Sequence, residues 1–308
     1  MGGIGEERDI SIQSGSSVFQ ALKEAGLNVI SSDITPDSLE ILDDSNIDIF
    51  FPVLHGKFGE DGQLQQILEE KSLCYAGSGP IACRLAFDKM ASKKAFSKAG
   101  ITTPAAVEFD SNTDPAELEK QLEKIADRFV VKPIKQGSSV GMSIADDSSE
   151  AVTEAKECFS KFGDCMIEQL IPGRDITVGI LCDEALPIIE LRTQSGFYDY
   201  DAKYHDEKTE FLFDTIDNPA LTAKIKTAAL DCFNSLGCRH FARVDFRLDD
   251  NGTAYALEVN AIPGFTARSD LPKAAAKTGL SMSDLCVKII EAAKGNKRTK
   301  FQSVTTND

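Results

Sequence analysis

No stretch of this chain approaches the roughly 18 consecutive apolar residues of a membrane-crossing helix, and its first residues lack the basic-then-apolar order of an export signal. Neither membrane insertion nor secretion is indicated, so the expected location is the cytoplasm. Basic residues are scarce: 33 Lys and Arg face 49 Asp and Glu, a net charge of −16. With no compensating basic stripe outside the tail Lys294 to Lys300, such a surface disfavours nucleic acid and anionic membranes as partners. Small molecules remain. There is no CxxC pair, and the eight cysteines (Cys74, Cys83, Cys158, Cys165, Cys182, Cys232, Cys238 and Cys286) mostly sit inside apolar patterns. That context fits buried, reduced thiols rather than disulfides or zinc ligands. Low-complexity tracts are absent and hydrophobic residues reach 42%, so the 308 residues read as globular, enough for two or three domains.

What is present alternates. From Ser14 to Gly79 a helix (16–25), strands at 27–31 and 47–54, a helix at 62–71 and a strand at 73–76 predict a parallel α/β domain over residues 1–84. Gly2-Gly3-Ile4-Gly5 is a turn that should follow a strand, and the first strand of that sheet is missing from the sequence. Residues 85–171 predict a second, α+β unit: helices at 85–99, 115–126 and 149–159, with strands at 128–132, 142–144 and 165–169. Residues 172–293 predict a third, with strands at 175–181 and 186–192, helices at 218–236 and 283–293, and a hairpin between the helices. A polar tail occupies 294–308.

The hairpin, Ala242 to Asn260, carries the most chemistry. Asn251-Gly252 is the favoured dipeptide for a two-residue type I′ turn. That turn sets Val244 opposite Val259, Phe246 opposite Leu257 and Leu248 opposite Tyr255, an apolar face that belongs on a core. The other face sets Asp245 opposite Glu258 and Arg243 opposite Asn260, with opposed Cβ atoms about 4.5–5.5 Å apart. Like charges at that spacing call for a cation between them, and hard oxygen donors suit Mg²⁺ better than zinc. The plainer alternative is a solvated face on which Arg243 and Arg247 neutralise the acids.

Three further segments stand out. Lys132-Pro-Ile-Lys-Gln-Gly137-Ser138-Ser139-Val-Gly141 puts a lysine at a strand end before small residues whose N–H groups can wrap an anion such as phosphate; an ordinary Gly-rich hairpin turn fits equally. Phe197 to Tyr204 lies in a loop of roughly 18 residues (193–210), long enough for a lid or a disordered insertion. His55 follows the apolar run Val53-Leu54 at a strand's carboxyl edge, where α/β sheets bind ligands.

In order along the chain, Gly2-Gly3, Glu7-Arg8, Ser11, LHGKFGEDG at 54–62, Tyr75 to Gly79, Asp88-Lys89, VKPIKQGSSVGM at 131–142, FYDYDAKY at 197–204, RVDF at 243–246 and EVNAIPGFT at 258–266 strongly resemble the D-alanine:D-alanine ligase family of the ATP-grasp superfamily. The resemblance implies an N-terminal α/β domain plus a two-domain ATP-grasp fold with ATP between the halves. It implies an ADP-forming ligase that makes D-alanyl-D-alanine for peptidoglycan in the bacterial cytoplasm, using ATP and two Mg²⁺ or Mn²⁺, and it leaves room for a homodimer.

By the same resemblance, Lys89, Lys132 and the lid residue Lys203 contact nucleotide phosphates. Glu168 and the backbone of Ile171 meet the adenine, and Asp175 stands at the ribose. Asp245, Glu258 and Asn260 hold the metals. Glu7, tied to Ser138 and Tyr204, receives the first D-alanine's ammonium. His55 lies near that substrate, Ser269 holds the second substrate's carboxylate, and Arg243 with the N–H of Gly264 faces the oxyanion. Three departures stand beside these matches: Ala261-Ile262, the missing strand, and Asp270, whose acid would repel a substrate carboxylate. Asp270 motivates an alternative, ligation of a different amino or hydroxy acid. A third reading is a nucleotide-binding protein without turnover.

Overall fold

The computed structural model describes residues 1–5, 7–193 and 209–295. In chain order the elements are α1 (Arg8–Glu24), α2 (Gln63–Glu70), α3 (Pro80–Phe87), α4 (Lys89–Lys98), β1 (Ala106–Phe109), α5 (Pro115–Leu122), β2 (Phe129–Pro133), β3 (Ser143–Ala145), α6 (Ser148–Phe162), β4 (Cys165–Gln169), β5 (Arg174–Leu181), β6 (Glu184–Arg192), β7 (Glu210–Phe213), α7 (Pro219–Ser235), β8 (Phe241–Leu248), β9 (Ala254–Asn260), α8 (Asp270–Lys277) and α9 (Met282–Gly295). Four helices open on side-chain caps: Asp88, Asp114, Asp147 and Asn218 each accept a backbone N–H from the first turn, and Pro115 and Pro219 supply the preset φ of a helix start.

Two antiparallel sheets organise these elements, one in the order β1-β4-β2-β3 and one in the order β7-β6-β5-β8-β9. In the smaller, Phe129, Val131 and Ile167 pack on Leu118, Leu122 and Ala151 of α5 and α6. The larger buries Ile176, Val178, Val244 and Phe246 against Ile225, Ala229 and Phe233 of α7. At one end of its other face, Leu181, Phe241 and Phe265 pack with α8, α9 and Val18, Ala21 and Leu22 of α1. The remainder of that face is the floor of a cleft.

Among the described residues the expected N-terminal parallel sheet is reduced to isolated pairings. Residues 27–31 and 47–54 adopt no strand, and the parallel pairing there consists of isolated bridges, Gly2 with Ile34 and Phe50 with Tyr75. Ile30 and Leu27, placed in a strand by their pattern, are exposed. α1 also starts earlier than expected, directly after Glu7. The expected helix at 85–99 is two helices, broken where Asp88 turns to extended φ/ψ to cap α4.

The hairpin turn differs from expectation too. Gly252 donates to the Asp249 carbonyl and Asp249 pairs with Thr253, so the loop has three residues, and Gly252 alone of them has positive φ (+79°). This is a type I turn followed by a left-handed glycine, and Asp249, accepting from the N–H groups of Asn251 and Thr253, favours it over type I′. The three-residue loop shifts the register by one, pairing Phe246 with Ala256 and Leu248 with Ala254; a bulge at Leu257 then restores Asp245 opposite Glu258 and Arg243 opposite Asn260. Leu257 and Tyr255 therefore leave the core face.

His240 joins the N-terminal region to the large sheet: its ring Nδ1 accepts the Gly77 N–H at 3.1 Å. Burial, reinforced by Arg239, pushes its pKa down to about 4. A histidine that resists protonation in the fold stabilises above its unfolded pKa near 6.5 and loses that contribution as pH falls toward 4. Urea unfolding should show stability declining through this window, and His240→Asn, which tolerates positive φ and keeps an acceptor, should flatten the decline.

Candidate active site

Side chains on the cleft face of the large sheet form three rows across β5, β8 and β9. Asp175 lies opposite Arg247 and Tyr255, Thr177 opposite Asp245 and Glu258, and Gly179 opposite Arg243 and Asn260. In the first row Arg247 pairs with Asp175 at 2.7 Å and donates to the carbonyls of Ile171 and Gly173. In the second, Thr177 Oγ1 donates to Asp245 Oδ1 at 2.6 Å. Arg243 grips both Asp245 oxygens, from Nε at 2.9 Å and Nη2 at 2.8 Å, while Nη1 lies 3.4 Å from Asp270 Oδ2. Gly179 makes this possible, since a Cβ there would meet Leu271 Cδ1 at 2.9 Å and push α8, which begins at Asp270, away.

Asp270 thus corrects one expectation: it is buried and its charge is met by Arg243, so it does not confront a substrate carboxylate as a bare acid. The alternative of Arg243 and Arg247 as neutralising cations holds in part, because Arg243 does engage Asp245, whereas Arg247 serves Asp175.

Above the sheet lie two adjoining clefts. One is lined by Glu7, His55, Arg243, Asn260, Gly264 and Ser269. The other, more apolar, lies between the two sheets and is lined by Val130, Lys132, Met142, Glu168, Ile171 and Asp175 among others. They share Lys89, Gln136 and Glu258. Lys89, the first residue of α4, sends its Nζ to the Gln136 carbonyl at 2.6 Å and stands 3.6 Å from Glu258 Oε2.

The loop after β2 closes the first cleft. Ser138 and Ser139 both have positive φ (+53° and +58°), and the Ser138 hydroxyl donates to the Glu7 carboxylate. Gly137 permits that approach, as its Cβ would lie 3.0 Å from Glu7 Oε2. His55 is held by two serines of α1. Its N–H donates to Ser11 Oγ at 2.9 Å, its Nε2 lies 3.4 Å from Ser14 Oγ, and its Nδ1 faces Glu60 at 3.3 Å. Ser14 Oγ also accepts the Phe265 N–H, tying α1 to the loop that carries Gly264. At Gly264 a Cβ would strike Ser269 Oγ at 2.5 Å, so the glycine lets that hydroxyl close on the loop, where it accepts from the Thr266 N–H.

In the second cleft, Glu168 is buried on β4 between two lysines. Lys132 Nζ donates to its Oε1 at 2.9 Å; Lys93 Nζ lies 2.6 Å from Oε2, a charge contact rather than an aligned hydrogen bond. Burial would push the Glu168 carboxyl up, but Lys132 and then Lys93 outweigh it and hold the pKa below the usual range. Lys132 is displaced upward, its burial overcome by Glu168 and Glu258.

Every expected site residue within the described range lies in or beside these clefts; Lys203 and Tyr204 lie outside it. Sequence reasoning missed Lys93, Ser14 and Thr177. Lys93 falls one helical turn after Lys89, a spacing that places both on one face of α4 and could have exposed it.

For a divalent cation, Asp245, Glu258 and Asn260 share one sheet face with two carboxylates and one amide oxygen; among the described residues no group of three His, Cys, Asp or Glu forms a metal site, here or away from this face. So sparse an oxygen set fits Mg²⁺, which commonly takes one or two carboxylates and completes its shell with phosphate oxygens and water.

Models of the D-ala D-ala ligase C-terminus and N-terminus match residues 95–291 and 37–78. The chain belongs to the D-alanine–D-alanine ligase family. A D-alanine–D-alanine ligase of Syntrophotalea carbinolica is 38% identical over 298 residues, covering 95% of this chain and 94% of the relative. One from Geotalea uraniireducens is 39% identical at 95% and 94% coverage. Among solved structures, the D-alanine–D-alanine ligase from Bacillus anthracis superposes with a TM-score of 0.82 at 34% identity, covering 96% of each chain. The D-Ala:D-Ser ligase from Enterococcus faecalis reaches 0.81 at 27% identity, covering 95% of this chain and 97% of its own. The shared architecture is the ATP-grasp fold.

Proposed function

We propose that this protein joins two D-alanines into D-alanyl-D-alanine in the cytoplasm, cleaving ATP to ADP and phosphate as the peptide bond forms, and so supplies peptidoglycan synthesis. The observation that carries this reading is the meeting of a polar cleft and an apolar one at Lys89, Gln136 and Glu258. A nucleotide in the apolar cleft would bring its terminal phosphate to that seam, where an amino acid held by Glu7 presents its carboxylate.

In this reading residues 1–84 bear Glu7 and His55, and residues 85–171 and 172–293 enclose the nucleotide, with the lid at 193–210. Glu168 and the Ile171 backbone meet adenine, Asp175 the ribose, and Lys89, Lys132 and Lys203 the phosphates. Asp245, Glu258 and Asn260 would hold two Mg²⁺, which supply positive charge at the phosphate oxygens. A carboxylate oxygen of the first D-alanine attacks the γ-phosphorus, the bond to ADP breaks, and an acyl phosphate forms. The second D-alanine, its carboxylate at Ser269, attacks the acyl carbon through its amine. Arg243 and the Gly264 N–H stabilise the oxyanion, and phosphate departs with the first substrate's oxygen. Ser138, Tyr204 and the lid keep Glu7 in place and exclude water from the acyl phosphate.

Incubation with ATP, Mg²⁺ and D-alanine is expected to release phosphate and dipeptide in equal amounts. Phosphate without dipeptide, or ligation only with another second amino or hydroxy acid, contradicts the proposal.

A further inference from the structure

Two lysines flank Glu168, and their surroundings differ. Lys132 lines the apolar cleft, and its Nζ reaches Glu168 Oε1 from the cleft side. Lys93 lies behind the carboxylate, its ammonium surrounded by three oxygens: Glu168 Oε2, Thr103 Oγ1 at 2.7 Å and the Pro104 carbonyl at 2.8 Å. Thr103 Oγ1 and the Pro104 carbonyl accept two of the ammonium's three donors, and Glu168 Oε2 faces it as the counter-charge. That cradle is itself fixed. Thr103 Oγ1 donates to the Ala256 carbonyl and Ala256 N–H donates to the Thr102 carbonyl, so the segment under Lys93 is stitched to β9 beside the bulge that positions Glu258.

We infer that Lys93 is a positioning residue that keeps Glu168 ionised and oriented for the adenine amino group once Lys132 has turned to the phosphates. The inference rests on the reading of Glu168 as the adenine contact. Glu168 Oε1 cannot serve Lys132 and an exocyclic amine in full at once, so nucleotide binding draws Lys132 off that oxygen. Without Lys93, that departure would leave a buried carboxylate with no cation beside it, and such a group takes up a proton. A protonated Glu168 would present a donor and favour a purine with a 6-oxo group. Lys93, held outside the cleft, prevents that exchange and so fixes base choice as well as affinity.

The test is competition of ATP and of inosine 5′-triphosphate, which bears oxygen in place of the 6-amino group, against a fluorescent ADP analogue on the full chain. Lys93→Met should weaken ATP about ten- to a hundredfold, the scale of a hydrogen bond to a charged group, and weaken inosine triphosphate far less, so that preference for ATP collapses. Raising the pH, which re-ionises Glu168, should restore part of the preference, and Lys93→Arg should restore most of it. A protein merely loosened by the substitution would lose both nucleotides alike. If Lys93→Met fails to fold, Thr103→Val, which loosens the cradle without removing the charge, should move the ratio the same way by less. Glu168→Gln separates the two levels of the argument. A changed ratio in Glu168→Gln with an unchanged ratio in the Lys93 and Thr103 variants overturns the role of Lys93 alone. An unchanged ratio in Glu168→Gln overturns the adenine contact and this inference with it.

Discussion

Replacing Glu258 by glutamine is expected to lower kcat about a thousandfold, because a loss of about 4 kcal/mol in charge stabilisation at a transferring phosphoryl group corresponds to that factor. Glu258 occupies the seam of the two clefts, directly opposite Asp245 and 3.6 Å from Lys89. Glutamine keeps the size and one oxygen but removes the negative charge that attracts a divalent cation. The Mg²⁺ concentration giving half-maximal rate should therefore rise along with the fall in kcat. Stability should hold or improve, since the substitution relieves a like-charge pair across adjacent strands. Steady-state rates over a Mg²⁺ series, beside urea unfolding of both proteins, check the three expectations. Full activity at unchanged Mg²⁺ requirement would remove Glu258 from the chemistry.

Arg243→Ala is expected to lower kcat roughly 10²–10³-fold, as loss of an oxyanion donor does, while ATP affinity stays close to that of the parent. The structure adds a second consequence. Arg243 is the counter-ion of Asp245 and lies against the buried Asp270, so truncation leaves carboxylates without their cation at a cost of about 3–5 kcal/mol in stability. The two effects separate in the double variant Arg243→Met/Asp270→Asn, in which the charge at Asp270 is also removed. Its melting temperature should recover relative to Arg243→Ala and its kcat should not. Recovery of both would make Arg243 a structural cation only.

The hairpin with its acidic pair was legible in the sequence for a reason that includes an accident. A two-residue turn at Asn251-Gly252 put Asp245 opposite Glu258; the structure has a three-residue turn and a bulge at Leu257, and the two one-residue shifts cancel at the acidic pair while exchanging Leu257 and Tyr255 for Ala256 and Ala254 on the core face. Local pattern reports which side chains share a face, but a bulge leaves no mark in hydrophobic periodicity. The N-terminal parallel sheet failed for the opposite reason: apolar runs at 27–31 and 47–54 have strand character, but a strand exists only through its neighbours. Asp270 looked like a substrate-facing acid because sequence places it beside Ser269. Its partner, Arg243, is 27 positions away and is brought close by a glycine on a third strand, Gly179. The pairing of Glu7 with Ser138 came from family resemblance alone, since nothing local predicts that a loop at 136–141 folds over the residue preceding α1. Lys93 was hidden by the ordinary expectation that helix lysines face solvent.

In the proposed reaction an acyl phosphate forms where the two clefts meet. It is tested most directly by supplying D-alanine labelled with ¹⁸O in both carboxylate oxygens and weighing the released phosphate. Attack of that carboxylate on the γ-phosphorus predicts one ¹⁸O in each phosphate formed together with dipeptide. Dipeptide accompanied by unlabelled phosphate would contradict it.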